Sequence, residues 1–565
     1  GTDKLIVGTT AHLNSATLAG KYTNFETLAI TNGVSIDLDL LSSITAVEMT
    51  DGAGTTALTD LSATQAGAIT LAGLNGAATL GLKNAGVVGN VDTATITVSD
   101  GDSTASEAIS AAGDITMANV ENINFTLTDD LILDTLANMN EFSTITLSGG
   151  GNAQIYAGTT GVVINSTIDG SEATAAMELG AQAVTGNGMA LKGGSGGDLI
   201  IGSANADALT GNAGNDTILG GDASDTIVGG AGNDTMDGGA GADVDTMTGG
   251  DGADIFGVDQ NGTTTVDVIS DLALGTDKII ETYAPSGGVV TSVTSATGGS
   301  LAVAAANAGT TIGANKAGIF TFGSDSYLLI NDGTAGTISA ADTVVKITGY
   351  TGTLASTDIT TTGATLSGVG TAQQNLGGTR GGDTITAATG GGTITAGDGA
   401  DAITGAAGVD NIAWTSTTVA ALATEVGGTV GSGVVGDSIS TWTSGADKLH
   451  FATTLTNNGT DTDTLKEIAK AGVVANNDVF VQVTNTAAGD NVDTLAGAVA
   501  VLNALTTSAV AIGEDVVFAM DNDTNMYLYM LTQVSVADTI AAQDVTFIGV
   551  INGITDVANG DFVSV

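Results

Sequence analysis

The chain has no cysteine, one proline (Pro285), two histidines and eleven basic residues in a length of 565. Each scarcity removes a class of explanation. Without cysteine there is no disulfide framework and no thiolate centre, so packing or bound ions must stabilise whatever folds. With only His12 and His450, far apart in sequence, a zinc centre built on imidazoles has too few ligands. No stretch approaches 18 uninterrupted apolar residues, so nothing reads as a transmembrane helix. Eleven Lys and Arg face 61 Asp and Glu, a formal net charge of -50, which repels nucleic acid and anionic membranes. The chain also repels itself, and divalent cations held by carboxylates are the most direct counter-charge. It opens on Gly1 with no basic segment leading into an apolar one. The expectation is a processed or cut chain, or export without an N-terminal signal.

What is abundant points to strands. Glycine contributes 84 residues, 42% of the chain is hydrophobic and mean hydropathy is +0.30, too apolar for ordinary disorder. Thr, Ser, Asn, Val and Ile suit strands and tight turns better than helices.

A repeat of nine residues decides the fold class. From Gly193 the sequence reads GGSGGDLII, GSANADALT, GNAGNDTIL, GGDASDTIV, GGAGNDTMD, then the longer GGAGADVDTMT, then GGDGADIFG. The sixth position holds Asp198, Asp207, Asp216, Asp225 and Asp234; the long copy offers Asp243 at the old spacing and Asp245 at the new, and Asp254 follows. The eighth position holds Ile200, Leu209, Ile218, Ile227, Met236, Met247 and Phe256. Glycines permit positive φ and let carbonyl oxygens converge. The aspartate adds a hard anionic oxygen, and oxygens from stacked turns suit the six to eight ligands of Ca²⁺. The three residues after it form a short strand whose eighth-position side chain points inward. The second copy lacks the glycine that follows Gly202 and has Ala204 and Asn205 in its turn, which predicts weaker binding beside Asp207.

This pattern resembles the repeats-in-toxin (RTX) nonapeptide, a resemblance that implies a parallel β-roll with several calcium ions between its turns. A degenerate block at 378–413 keeps Asp383, Asp401 and Asp410 with Ile385, Ile394, Ile403 and Ile412, but has Gly392 where an acid belongs. After each block a shared frame follows, DVISDLALGTDKI (267–279) and DSISTWTSGADKL (437–449). Asp267 matches Asp437 and Asp277 matches Asp447, and the resemblance implies that these acids close the last turns.

Farther on, GIFTFGSDSYLLIND (318–332) is echoed by VVFAMDNDTNMYLYM (516–530), and SAADTVVKITGY (339–350) by IAAQDVTFIGV (540–550). Two copies of one plan are expected: roll, closing turn, β-rich unit. Helices are expected within 463–472 and 490–507. Residues 1–192 lack the nonapeptide but alternate as strands do, in TATITVSDG, VENINFTLTDD and STITLSGGG, which fits a sandwich or an irregular solenoid. The fold class is therefore mainly all-β: an elongated, multi-domain chain with two calcium-bound parallel β-rolls, β-sandwich or solenoid-like modules and few short helices. The expected segments are 1–192, a roll at 193–257, a β module at 258–376, the degenerate roll at 377–413, and a β module at 414–565 with a C-terminal secretion signal.

Catalytic motifs fail on context, and no enzyme is expected. Ser195 in GGSGG fits G-x-S-x-G but lies in a repeat turn rather than a strand-to-helix elbow. GSGVVG (431–436) has the dinucleotide glycines without strand or helix around them. DNDTN (521–525) starts like an EF-hand loop, lacks the later Gly and Glu, and reads as a hairpin tip. Trp414 and Trp442 read as core residues.

Calcium rolls joined to a Thr, Ala and Gly-rich β body resemble bacterial surface-layer proteins that carry such repeats. That resemblance implies a structural protein, secreted through a type I channel and held at the extracellular cell surface, whose main partner is itself in a calcium-dependent lattice or filament. It implies an uncleaved C-terminal signal, here NGDFVSV with Asp561, and a chain that folds only outside the low-calcium cytosol. Surface polysaccharide is a second partner implied by the family, though no matching N-terminal anchor is evident, so a fragment or another anchor is expected. The alternative is a secreted adhesin or carbohydrate-binding protein stabilised by its rolls. Neither nucleic acid nor membrane insertion is expected.

Overall fold

The computed structural model describes residues 3–564 apart from a series of segments, the longest being 100–108, 134–141, 157–165, 415–436, 452–465, 508–515 and 532–544. GSGVVG (431–436) and Asp561 lie outside the described residues. The chain falls into two compact units, Gly1–Ile279 with Pro285–Asp358, and Ile280–Ala284 with Ile359–Val565.

In the first unit the chain winds between parallel sheets. One sheet is laid down rung by rung from Lys4–Val7 and Thr27–Ile30 through Thr93–Val98, Asn122–Leu127 and Thr144–Gly149 to Ala208–Ala213, Thr226–Ala231 and Thr246–Asp251. A second runs from Leu131–Leu133 and Ala153–Tyr156 through Met177–Gly180 and Leu199–Ile201 to Thr235–Asp237 and Ile255–Gly257. Earlier turns use a third sheet, from Ser35–Asp37 to Ala78–Leu82. The described strands of 3–192 thus form a solenoid rather than a sandwich, because they pair in parallel from rung to rung. Pairing runs unbroken into the repeats, where Ala190–Lys192 lies beside Ala208–Ala213.

Alternation explains why this winding closes. Ile96, Ile123, Phe125, Ile145 and Leu147 point inward and are at most 1% exposed. In the repeats Ile200, Ile218, Ile227, Met236, Met247 and Phe256 are fully buried, and Leu209 nearly so. Each such side chain contributes about 1.5–3 kcal/mol on burial. FETLAITNG (25–33) and VENINFTLTDD (120–130) each open on an apolar residue followed by glutamate. Glu26 accepts the Asp3 N–H at 2.7 Å and Glu121 the Asp92 N–H at 2.8 Å, so each glutamate ties its rung to the one before.

Beyond the first set of repeats, Val268–Ile269 pairs in parallel with Thr343–Ile347. That strand ends an antiparallel meander with Lys316–Phe322 and Asp325–Asn331, covered by the helix Leu301–Ile312. The second unit repeats the plan. Its rungs Gly382–Thr386, Ala402–Thr404 and Asp437–Ser440 lead to Val545–Ile551, the last strand of a meander with Val516–Asp521 and Met526–Leu531, packed against the helix Leu495–Ala504. DNDTN is the tip of that hairpin.

Leu495–Ala504 falls within the expected 490–507, but the other helical expectation needs revision. Lys466–Ala469, inside 463–472, is a strand pairing in parallel with Phe480–Thr484, and the rest of that stretch lies outside the described residues. So short a segment is marginal as an isolated helix, and an available sheet edge outweighs its propensity. Conversely, Leu301–Ile312 was not anticipated, although Ser300 caps it by accepting the Val303 N–H and Gly313 ends it at φ 89°.

Truncating one inward side chain should test the packing. Ile227→Ala, measured by urea unfolding in saturating calcium, should lose about 2–5 kcal/mol, whereas the partly exposed Val228→Ala should lose under about 1 kcal/mol.

Candidate metal centre

The aspartates of the first set of repeats form two columns, one at each turn between the sheets. In one column the N–H of Asp198 donates to Oδ1 of Asp216, Asp216 to Asp234, Asp234 to Asp254 and Asp254 to Asp277, at 2.8, 2.9, 3.0 and 3.1 Å. In the other Asp207 donates to Asp225, Asp225 to Asp245 and Asp245 to Asp267, at 2.7, 2.8 and 3.0 Å. Asp245, not Asp243, takes the register of the long copy. Asp243 is only half-buried and stands outside the columns, where its charge helps to raise Asp225 and Asp245. Asp267 and Asp277 extend the columns past the last repeat.

The second oxygen divides these residues into two groups. Oδ2 of Asp216, Asp225, Asp234, Asp245 and Asp254 is buried without a hydrogen-bond partner. Oδ2 of Asp198 instead accepts the Gly194 N–H at 2.6 Å, and that of Asp207 accepts the Ser203 N–H at 2.6 Å and its hydroxyl at 2.9 Å. Asp277 accepts from Ala273 in the same way, at 2.6 Å. Backbone conformation four residues earlier separates the groups. Asn212, Gly221, Gly230 and Gly250, and in the long copy Gly239, six residues before Asp245, have φ between 77° and 125°, which turns their N–H away from the carboxylate. Gly194, Ser203 and Ala273 are outside that region, and their N–H closes onto it.

Each open turn keeps a cradle beside its unpaired oxygen. A methyl group on Gly211 would overlap both Asp216 Oδ2 and the Gly229 carbonyl oxygen, and one on Gly229 would overlap Asp234 Oδ2 and the Gly249 carbonyl. Among the described residues no three carboxylates or imidazoles gather into a side-chain cage. One carboxylate per turn leaves backbone carbonyls as the remaining ligands, an all-oxygen set that fits a hard cation of Ca²⁺ size. A family model for the RTX calcium-binding nonapeptide repeat (4 copies) matches residues 192–227 and 210–244. The turns within 192–244 are RTX calcium-binding repeats. A comparison with curated proteins gives no match.

The second unit has the same geometry in reduced form. Asp383 donates to Asp401 at 2.7 Å and Asp401 to Asp437 at 3.1 Å, while Asp410 donates to Asp447 at 3.1 Å. Of these, Asp401 matches the open RTX turn: its Oδ2 is unpartnered and Gly397, four residues earlier, has φ 86°. Asp383 and Asp410 close onto the N–H of Thr379 and Ala406, at 2.7 and 2.8 Å. Oδ2 of Asp437 accepts the indole N–H of Trp414 at 2.8 Å, so a buried side chain stands where an ion would sit. Trp414 stacks on Phe451 with ring centroids 4.9 Å apart. Trp442 is also buried.

The repeat motif marks all these aspartates alike; the open and closed turns are what it does not separate. Ser203, Thr379 and Ala406 are a readable signal, since residues with a side chain disfavour positive φ. Gly194 and Trp414 carry no such signal. Ser195 sits in the turn before Asp198, as expected.

Burial raises the open-turn carboxylates well above the ordinary range: Asp216, Asp234 and Asp254 to about 6, Asp225 to about 7 and Asp245 to about 8, with neighbouring carboxylates adding to the shift. Without metal the folded roll therefore holds protons that the unfolded chain has released, and it should lose stability as pH rises from about 4 to about 8. Calcium needs the ionised form, so the order should reverse in saturating calcium. Thermal melting at both ends of that range, in chelator and in calcium, checks both slopes. Asp225→Asn should lower the calcium count per chain, whereas Asp207→Asn should leave it unchanged; equilibrium dialysis distinguishes them.

Proposed function

We propose that the chain is a secreted structural protein, not an enzyme, whose rolls close on calcium outside the cell and whose copies associate into a surface layer or filament. One observation carries the calcium dependence: unpartnered, buried aspartate oxygens recur in successive RTX turns. An ionised carboxylate in such a place is costly unless a cation meets it. In a low-calcium compartment the turns stay open and the chain remains competent for export.

Support for self-association comes from the outer face of the first sheet. Its exposed or half-exposed positions over three rungs are Thr93, Thr95 and Thr97, Asn122, Asn124 and Thr126, and Thr144, Thr146 and Ser148, all uncharged. On a chain of net charge -50, copies meet at least electrostatic cost through such a face. No helix among the described residues is long and apolar enough to cross a membrane.

Electron microscopy of the purified chain should show sheets or filaments in millimolar calcium and dispersed particles in chelator. Dispersed monomers under both conditions would contradict the assembly, and a saturable glycan affinity in those monomers would favour an adhesin.

A further inference from the structure

A second group of buried polar atoms lies outside the repeats. In Ala153–Tyr156 and Met177–Gly180, alternation sends Ile155 and Leu179 into the core and Gln154, Tyr156 and Glu178 to the opposite face. That face is not open to water here, because Gln154, Tyr156 and Glu178 are 2%, 9% and 3% exposed. The register sets Gln154 directly beside Glu178, with strands about 4.8 Å apart, and Tyr156 lies two residues along the same face.

None of the three is satisfied. Both polar atoms of the Gln154 amide, the Tyr156 hydroxyl and Oε1 of Glu178 are buried without hydrogen-bond partners. No Lys or Arg among the described residues pairs with Glu178. Unmet buried polar groups are costly, so three together need a common explanation. Burial alone pushes the Glu178 carboxyl up to about 8. The group offers one anionic and two neutral oxygens and no sulfur or imidazole, which suits a hard cation. Calcium, with its tolerance of irregular geometry, fits such a site better than Mg²⁺, which demands near-ideal octahedral ligands.

We propose that Glu178, Gln154 and Tyr156 form a calcium site separate from the nonapeptide turns, with the Glu178 carboxylate, the Gln154 carbonyl oxygen and the Tyr156 hydroxyl as ligands. Its position gives it a purpose. Met177, beside Glu178, donates its N–H to Oδ1 of Asp198 at 2.7 Å, the first aspartate of the repeat column. An ion at Glu178 fixes the rung on which the first repeat is laid.

Full-length chain with terbium(III) in place of calcium provides the test, since a tyrosine ligand sensitises bound terbium. Glu178→Gln, which preserves shape and removes charge, should bind one ion fewer per chain than the parent by equilibrium dialysis. Tyr156→Phe should lose part of the tyrosine-excited terbium emission. Asp216→Asn, which removes a repeat site, should leave the Tyr156-dependent emission in place, so the two kinds of site are judged separately. An unchanged ion count in folded Glu178→Gln overturns the proposal in favour of a protonated, hydrated carboxyl. So does unchanged emission in Tyr156→Phe, which also decides the matter if Glu178→Gln does not fold.

Discussion

The structure depends on a conflict that its own geometry creates. Short parallel rungs bring aspartates into columns, with one oxygen tied to the backbone of the rung two repeats back. The other oxygen faces the inside of a glycine turn. Hydrogen bonding through Oδ1 holds the column in register, as the ladder from Asp198 to Asp277 does. Burial of Oδ2 beside carbonyl oxygens of like partial charge then works against closure. A dication resolves that conflict, and the same arrangement without one favours protonation, which is why these carboxyls rise toward neutrality.

Closed turns show a second solution in the same chain. Where residue four before the aspartate leaves the positive-φ region, its N–H supplies the missing donor and the turn is satisfied by the protein alone. Asp198 and Asp207 open the first columns in this way and Asp277 ends one of them. In the column from Asp198 to Asp277 the open turns therefore lie between turns that close without metal. In the second unit Trp414 performs the same service for Asp437 by a different group, and among the described residues Asp401 keeps an unpartnered Oδ2 and Asp410 an unpartnered Oδ1.

Much of this was legible from residue order. The nine-residue period placed the rungs, the inward aliphatic at the eighth position and the buried acid at the sixth, because alternation and glycine turns leave little freedom. The duplicated plan was visible in matched segments, and both meanders occur where those segments fall. Less visible were features that depend on partners distant in sequence. Lys466–Ala469 became a strand because Phe480–Thr484 offers an edge, and Glu178 gains its setting only from the rung beside it. The choice between Asp243 and Asp245 likewise needed the register of Thr226–Ala231 against Thr246–Asp251.

Hydrogen exchange on the intact chain tests the central claim most directly. With calcium, backbone amides of Ala208–Ala213, Thr226–Ala231 and Thr246–Asp251 should be strongly protected; in chelator at neutral pH they should exchange freely, while Asn122–Leu127 and Thr144–Gly149 keep their protection. Equal protection of the repeat amides with and without calcium would contradict the account.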